Sequence, residues 1–213
     1  MKVEMWMDFV CPYCYLGKAK FEKAIKNFSD KENVEIIYKS FELDPKVSKM
    51  YHGTMSELLS KKYGMTMEEV QENNERLTAE AKGLGLVYNL EKTMPVNTFY
   101  AHRLLQYSKE IGKDAELVRV IFKAYFTDNK NISDIDTLAQ ISKEAGLEEE
   151  VVREILNSDK YTDIVQQDEK ESQDIGVDVV PFFLIDKKYT VAGEQSTKTI
   201  RKALEKALLE YSK

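Results

Sequence analysis

Strand-like sequence occurs only near the two ends of this chain, and a long run of helix-like sequence separates them. Near the start, the apolar segments 3–10 and 34–41 flank a helical pattern, which indicates the order β-α-β. Near the end, segments 182–186 and 189–191 predict a hairpin, and a final helix follows them. A right-handed crossover would make the first two strands parallel.

The sequence between these ends predicts one helix after another. Residues 117–125, for example, place apolar side chains at helical spacing. Residues suited to cap helices precede several of these segments and the final helix: Asn97 or Thr98, Ser133 or Asp134, and Ser196 or Thr197.

The predicted fold class is therefore α/β, with the order β-α-β … β-β-α and a large all-helical insertion. We expect residues 1–47 and 177–213 to form one discontinuous sheet domain. Residues 48–176 are expected to form the helical domain inserted into it.

The composition is that of an ordinary globular protein, with 43% hydrophobic and 32% charged residues among 213. The formal net charge is −6 and no dense Lys/Arg cluster occurs, so we expect no nucleic-acid partner. No apolar stretch is long enough to span a bilayer, and Asp8 interrupts the start before a signal-peptide pattern forms. We therefore expect a cytoplasmic protein with no membrane partner.

The chain has two cysteines, Cys11 and Cys14, and only two residues separate them. Intracellular proteins rarely use disulfides as structural cross-links, and a bridge that closes so small a loop stabilises a fold little. The pair therefore indicates chemistry rather than architecture.

The cysteine pair follows the first predicted strand and opens the first helix, where Pro12 fits the first turn. A helix N-terminus carries roughly half a positive charge and free N–H groups, which stabilise a thiolate on Cys11. We predict that Cys11 faces solvent and attacks a disulfide, and that the more buried Cys14 resolves the mixed disulfide. Pro12 and Tyr13 are expected to tune the potential and to contact substrate.

Two other interpretations of the cysteine pair have less support. A zinc site needs four ligands, and the two histidines, His52 and His102, lack the spacing of such sites. A pair of incidental core thiols is disfavoured by the strand–helix setting. We predict no metal, and no cofactor beyond the redox-active pair Cys11–Cys14 itself.

Four stretches of the sequence resemble the DsbA-like branch of the thioredoxin superfamily, and most of all its cytoplasmic FrnE-type proteins. They span almost the whole chain in order: Asp8–Lys18 (DFVCPYCYLGK), Asn97–Leu105 (NTFYAHRLL), Ala124–Thr127 with Ile132, and Gly176–Gly193. Together they are far more specific than a single Cys-x-x-Cys.

This resemblance implies a thioredoxin fold with a helical insertion, and a cis peptide bond between Val180 and Pro181. In the family, the loop at this proline lies against the position of Cys11 and keeps metals away from the thiols. It also offers the backbone of Val180 to an extended substrate, so Pro181 is expected to belong to the catalytic site. Without the resemblance, Pro181 would be interpreted as a turn residue, because only about 5–6% of X-Pro bonds are cis.

The sequence departs from the family where a carboxylate is expected to relay protons for the resolving thiol. At the position where the DsbA pattern has this carboxylate, the present sequence has Met5. Glu4 lies one residue farther from Cys11, and Asp8 lies closer to it. Asp8 is also explained as a solvated turn residue, because most carboxylates are exposed. Both carboxylates therefore stay open as candidates.

His102 and Arg103 lie in the second of the four stretches, on a predicted helix. A helical histidine beside a charged neighbour is more often a hydrogen-bonded packing residue than a catalyst. We expect His102 to be structural.

The leading functional prediction is a thiol–disulfide oxidoreductase or isomerase that acts on disulfides in proteins or in small thiols, with glutathione as one candidate thiol partner. A glutathione-dependent transferase or isomerase of the kappa and hydroxychromene carboxylate isomerase type is a first alternative. In those proteins a serine occupies the first position and the second cysteine is missing, which disfavours them here. A redox-gated binding protein, with the cysteine pair as its switch, is a second alternative.

Overall fold

Strands from both ends of the chain meet in one mixed sheet, and helices fill the sequence between them. The computed structural model describes residues 1–26, 28–47 and 53–211, so His52 lies outside the described residues. The strands are β1 (Lys2–Met7), β2 (Glu35–Ser40), β3 (Phe182–Ile185) and β4 (Tyr189–Ala192). The helices are α1 (Pro12–Lys26), α2 (Met55–Tyr63), α3 (Met67–Gly83), α4 (Phe99–Glu110), α5 (Asp114–Phe126), α6 (Ile135–Ser142), α7 (Glu149–Leu156), α8 (Thr162–Asp174) and α9 (Thr197–Tyr211).

The sheet has the strand order β2-β1-β3-β4 within the described part of the chain. β1 pairs with β2 in parallel, with Trp6 opposite Lys39, and with β3 in antiparallel orientation, with Met5 opposite Phe183. β3 and β4 form an antiparallel hairpin. These pairings confirm the predicted β-α-β … β-β-α order and the predicted parallel pairing of β1 with β2.

Helices cover both faces of the sheet. Successive side chains of a strand point to opposite faces, so the neighbours Phe182 and Phe183 lie on different faces. Phe21 of α1 stacks on Phe183 with 5.4 Å between ring centroids, and α1 also contacts α9. On the other face, Trp6 meets Phe182 edge to face at 6.0 Å. The indole N–H of Trp6 donates to the carbonyl of Asp168 in α8 at 3.1 Å, which places α8 on this second face.

The hairpin connection comprises residues 186–188, one more than the predicted pair Lys187–Lys188, and its tight turn is centred on Asp186 and Lys187. Both residues have positive φ, 47° and 57°, and the N–H of Lys188 donates to the carbonyl of Ile185 at 3.0 Å. Two consecutive positive φ angles define a type I′ turn, whose twist matches that of the strands it joins.

Three of the predicted capping residues accept backbone hydrogen bonds at helix starts. Asp134 accepts from the N–H of Thr137 at 2.8 Å, and Ser196 accepts from the N–H of Thr199 at 3.1 Å. The side chain of Asn97 accepts from the N–H of Phe99 at 3.1 Å. Each of these contacts satisfies an N–H group that has no partner within its own helix.

The chain divides into two compact units. One comprises Met1–Phe41 with Gln166–Lys213 and contains the sheet, and the other comprises Glu42–Val165. The predicted limits of the insertion, residues 48 and 176, both fall later than these boundaries. The second limit differs because Asp168 binds the sheet, which groups the C-terminal part of α8 with the strands.

The second unit is helical in its described residues and has an apolar core of its own. The apolar residues predicted at helical spacing in 117–125 are buried, as is most of α5. Phe126 at the end of α5 contacts the rings of Tyr88 and Tyr125, with centroids 5.1 and 4.8 Å apart. These aromatic side chains pack together within the core of this unit.

Candidate active site

A tight turn follows β1 and brings the chain to the first cysteine. β1 ends at Met7, and the N–H of Cys11 donates to the carbonyl of Asp8 at 3.1 Å. Phe9 and Val10, predicted as an extension of the strand, lie in this turn. The prediction was wrong there because the backbone hydrogen bond from Cys11 to Asp8 closes a turn. The chain therefore leaves the sheet before residues 9 and 10 can pair with a neighbouring strand.

Cys11 lies directly before the first residue of α1. Its carbonyl accepts from the N–H groups of Cys14 and Tyr15 at 3.0 and 3.4 Å. The helix begins at Pro12, as predicted. The positive end of the helix dipole therefore lies at Cys11, where it favours a negative charge on the sulfur.

Both thiols are free and buried. Cys11 exposes 3% of its surface and Cys14 exposes 0%, so the prediction that Cys11 faces solvent was wrong. The covering group is the carbonyl of Val180, whose oxygen lies 3.7 Å from Sγ of Cys11 and accepts its S–H. Cys11 remains the more accessible sulfur of the two.

Burial raises the pKa of the Cys14 thiol well above its ordinary value of 9.0. The hydrogen bond with the Cys11 side chain and the charge of Cys11 raise this pKa further. A hydrogen bond with the backbone of Asp8 lowers the pKa, whereas the negative charge of the Asp8 carboxylate raises it. Cys14 is therefore protonated at neutral pH.

The loop that covers Cys11 contains the cis peptide bond between Val180 and Pro181, as the resemblance implied. Val180 and Pro181 are both buried. Pro12 and Tyr13 are half-buried in the first turn of α1. The functional roles of these four residues stay predictions.

No sequence pattern had indicated a role for Gly17, which contacts the same loop. A Cβ atom on Gly17 would lie 2.5 Å from Cγ and 3.3 Å from Cβ of Pro181. Only a residue without a side chain lets α1 approach the proline ring this closely. The available signal was a glycine inside a helix, where it is less favourable than alanine by about 1 kcal/mol.

The two candidate carboxylates have different surroundings. Asp8 is 0% exposed, so its interpretation as a solvated turn residue was wrong. It is buried because the turn that precedes α1 places it beside Cys11 and Cys14. Glu4 instead lies 3.9 Å from the ammonium group of Lys39.

Lys39 is the centre of a charge cluster that had not been predicted. Its ammonium group binds Asp168 at 2.9 Å and Glu171 at 2.8 Å, both on α8. Burial lowers the pKa of Lys39, but the hydrogen bonds to Glu171 and Asp168 outweigh burial, and the pKa lies above 10.5. This cluster links β2 to α8.

His102 and Arg103 lie on α4 in the second unit, and both are buried. Arg103 donates to the backbone carbonyls of Ile155 at 2.7 Å and Lys160 at 2.8 Å, and also to that of Ser158. A cation at the last carbonyls of α7 complements the negative end of that helix. Arg103 therefore has a structural role, and its burial lowers the pKa of the guanidinium group.

The described residues form neither a cluster of metal ligands nor a helix that could span a membrane. Within residues 1–26, 28–47 and 53–211, no three His, Cys, Asp or Glu side chains are grouped as metal ligands. No helix in those ranges combines the length and the apolar character needed to cross a bilayer.

Comparisons with known proteins agree on one family. The family model of the DSBA-like thioredoxin domain matches residues 2–205. The solved structure of a probable DsbA oxidoreductase, SCO1869 from Streptomyces coelicolor, is 38% identical with a TM-score of 0.95, covering 99% of this chain and 91% of that one. YwbO, an uncharacterized protein of Bacillus subtilis strain 168, is 31% identical over 185 residues, which are 86% of each protein.

A more distant solved structure shares the fold alone. A 2-hydroxychromene-2-carboxylate isomerase superposes with a TM-score of 0.75 at 16% identity, over 100% of this chain and 98% of the other. The match of the family model over nearly the whole chain decides the assignment. This chain belongs to the DSBA-like thioredoxin domain family.

Proposed function

We propose that this protein is a thiol–disulfide oxidoreductase in which Cys11 attacks the substrate and Cys14 resolves the mixed disulfide. The observation that carries the proposal is the position of Cys11 directly before α1, with its sulfur against the Val180 carbonyl. The N–H groups of the helix end favour the thiolate form of Cys11. Cys14 follows within the first turn, is fully buried, and keeps its proton until it is needed.

The first step is attack of the Cys11 thiolate on one sulfur of a substrate disulfide. The substrate S–S bond breaks, a mixed disulfide with Cys11 forms, and the second substrate sulfur leaves as a thiolate that takes a proton from water. In the second step, Cys14 loses its proton and attacks the Cys11 sulfur, which expels the first substrate sulfur. The substrate gains two electrons, and the protein is left with a Cys11–Cys14 disulfide.

A small thiol restores the dithiol by the reverse exchange. Two molecules of a thiol such as glutathione supply the two electrons and leave as one disulfide. We place the protein in the cytoplasm, where the reducing thiol pool favours this direction. Under oxidising conditions the same steps run backwards and form a disulfide in the substrate.

The proton of Cys14 needs an acceptor in the second step, because the pKa of this thiol is raised. We assign this role to Asp8, whose carboxylate is buried and whose charge acts on Cys14. Glu4 is the weaker candidate, since the cation of Lys39 lies 3.9 Å from it.

The covered position of Cys11 favours a substrate disulfide in a small molecule or in an extended protein segment. A cysteine that exposes only 3% of its surface is hard to reach from the rigid surface of a folded protein. Val180 offers its backbone to such a segment, and Pro12 and Tyr13 provide half-buried contacts beside it. Pro181 contributes by holding the loop in place against α1.

The test is reduction of insulin disulfides with glutathione as the electron donor. We expect the wild-type protein to be active and Cys11→Ser to fall to the uncatalysed rate. Full activity in a folded Cys11→Ser variant would contradict the proposal. Glutathione conjugation that persists in Cys14→Ala would favour the transferase alternative instead.

A further inference from the structure

Gly17 lies at a position where the backbone conformation does not require glycine. It lies in the middle of α1, is buried, and is absent from the residues with positive φ. A glycine in such a place destabilises a helix relative to alanine. Its presence therefore needs another cause, and that cause lies in what its missing side chain would meet.

The missing side chain would collide with the ring of Pro181. A Cβ on Gly17 would lie 2.5 Å from Cγ, 3.3 Å from Cβ and 3.7 Å from Cδ of that ring. Non-bonded carbon atoms have their optimal separation at about 3.5–4.0 Å. A proline ring cannot rotate away as a flexible side chain can, so a methyl group at this position would displace the whole loop.

The loop carries the group that covers the attacking sulfur. Val180 directly precedes Pro181, and its carbonyl oxygen lies 3.7 Å from Sγ of Cys11. The absence of a side chain at Gly17 therefore determines how closely Val180 approaches Cys11. Cys11, which this carbonyl contacts, exposes only 3% of its surface.

We propose that Gly17 is a positioning residue that holds the Val180 carbonyl over Cys11 and makes the loop a size filter for reagents and disulfides. The size filter depends only on how Gly17 packs against the ring of Pro181. Its consequence for substrates rests on the proposed oxidoreductase function. Gly17→Ala should open the filter and, by displacing the Val180 backbone, slow exchange with disulfide substrates.

The experiment compares alkylation of Cys11 by a small and a bulky reagent, in a Cys14→Ala background that leaves one thiol. Iodoacetamide is the small reagent and fluorescein maleimide the bulky one. Gly17→Ala should raise the ratio of the bulky to the small rate several-fold, because the added methyl group displaces the Val180 carbonyl from its position over Cys11. Gly83→Ala is the matched control, because a Cβ on this helical glycine meets nothing within 4 Å, and it should leave the ratio unchanged.

A second pair of variants tests whether the effect passes through the proline ring. In a Pro181→Ala background the colliding ring is absent, so adding Gly17→Ala should change the ratio by less than about twofold. If Gly17→Ala alone does not fold, judged by circular dichroism, Pro181→Ala should restore folding to the double variant. The proposal would be overturned if folded Gly17→Ala left the ratio of alkylation rates unchanged. It would also be overturned if Gly17→Ala changed this ratio equally in the Pro181 and the Pro181→Ala backgrounds.

The two proposals can fail separately. A wild-type protein that reduces no disulfide would overturn the proposed function, while the alkylation ratios would still test the filter. Conversely, an active wild type whose ratio does not respond to Gly17→Ala would overturn the filter alone.

Discussion

Lys39 and Asp168 form an ion pair of 2.9 Å that joins the edge strand β2 to helix α8. The second carboxylate oxygen of Asp168 accepts the N–H of Ser40 at 2.9 Å, and its carbonyl accepts the indole N–H of Trp6 at 3.1 Å. One buried aspartate thereby satisfies part of the sheet edge and fixes a helix on one face of the sheet.

Removal of the cation from this cluster should destabilise the protein strongly. Lys39→Met leaves the buried Asp168 and the half-buried Glu4 beside an apolar group, and the expected loss is about 3 kcal/mol. Urea unfolding followed by the fluorescence of Trp6, the single tryptophan, measures this loss. Lys188→Met is the matched control, since it breaks a pair with Glu210 that is exposed on both sides. Equal losses of unfolding free energy in the two variants would show that the Lys39 cluster stabilises the protein no more than an exposed ion pair does.

The same cluster should make the unfolding free energy depend on pH in the alkaline range. The pKa of Lys39 lies above 10.5 in the folded protein, so the folded state holds this proton more tightly than the unfolded state. The contribution of Lys39 is complete below its ordinary pKa of 10.5 and is lost as pH rises through the raised value. The difference in unfolding free energy between wild type and Lys39→Met should therefore shrink above pH 10.5. A difference that stays constant there would contradict this linkage.

Arg103 should not tolerate replacement by lysine. Lysine cannot reach the carbonyls of Ile155 and Lys160 together, so Arg103→Lys loses at least one charge-assisted hydrogen bond, about 1.5–3 kcal/mol. Thermal and urea unfolding measure the effect. Arg153→Lys is the control, because Arg153 binds Asp136 and Glu149 on the surface and its replacement should matter far less. A stable Arg103→Lys variant would argue against the structural role of this residue.

The proposed role of Asp8 predicts a change in the ionisation of Cys14. The charge of Asp8 raises the pKa of Cys14, so Asp8→Asn should lower that pKa. Thiolate absorbance in a Cys11→Ser background follows Cys14 alone. Glu4→Gln is the matched control and should leave the titration of Cys14 unchanged, because the Glu4 carboxylate lies beside the ammonium group of Lys39, 3.9 Å away. If Asp8→Asn slows the second exchange step but does not shift the Cys14 titration, Asp8 acts by another route.

Much of the fold could be predicted because its signals are local. Short segments rich in apolar residues identified the strands, and the sequence around Pro12 located the start of α1. The position of Cys11 before this helix follows from the same local pattern. The resemblance to the family then supplied the cis bond at Pro181, which local sequence does not indicate.

The parts that could not be predicted depend on contacts between distant residues. Lys39 and Asp168 are 129 positions apart, and neither has a neighbour that indicates the other. The burial of Cys11 depends on Val180, 169 positions away, so the helix pattern alone predicted a solvent-facing sulfur. The contact of Gly17 with Pro181 is likewise visible only after the chain has folded.

The central claim is that Cys11 forms the bond to substrate and Cys14 releases it. Mass spectrometry of each cysteine variant after reaction with glutathione disulfide tests this most directly. The account predicts that Cys14→Ser accumulates one glutathione on Cys11, that Cys11→Ser carries none, and that the wild type ends as the internal disulfide. A glutathione adduct on Cys14 in Cys11→Ser, formed as fast as the adduct on Cys11, would contradict it.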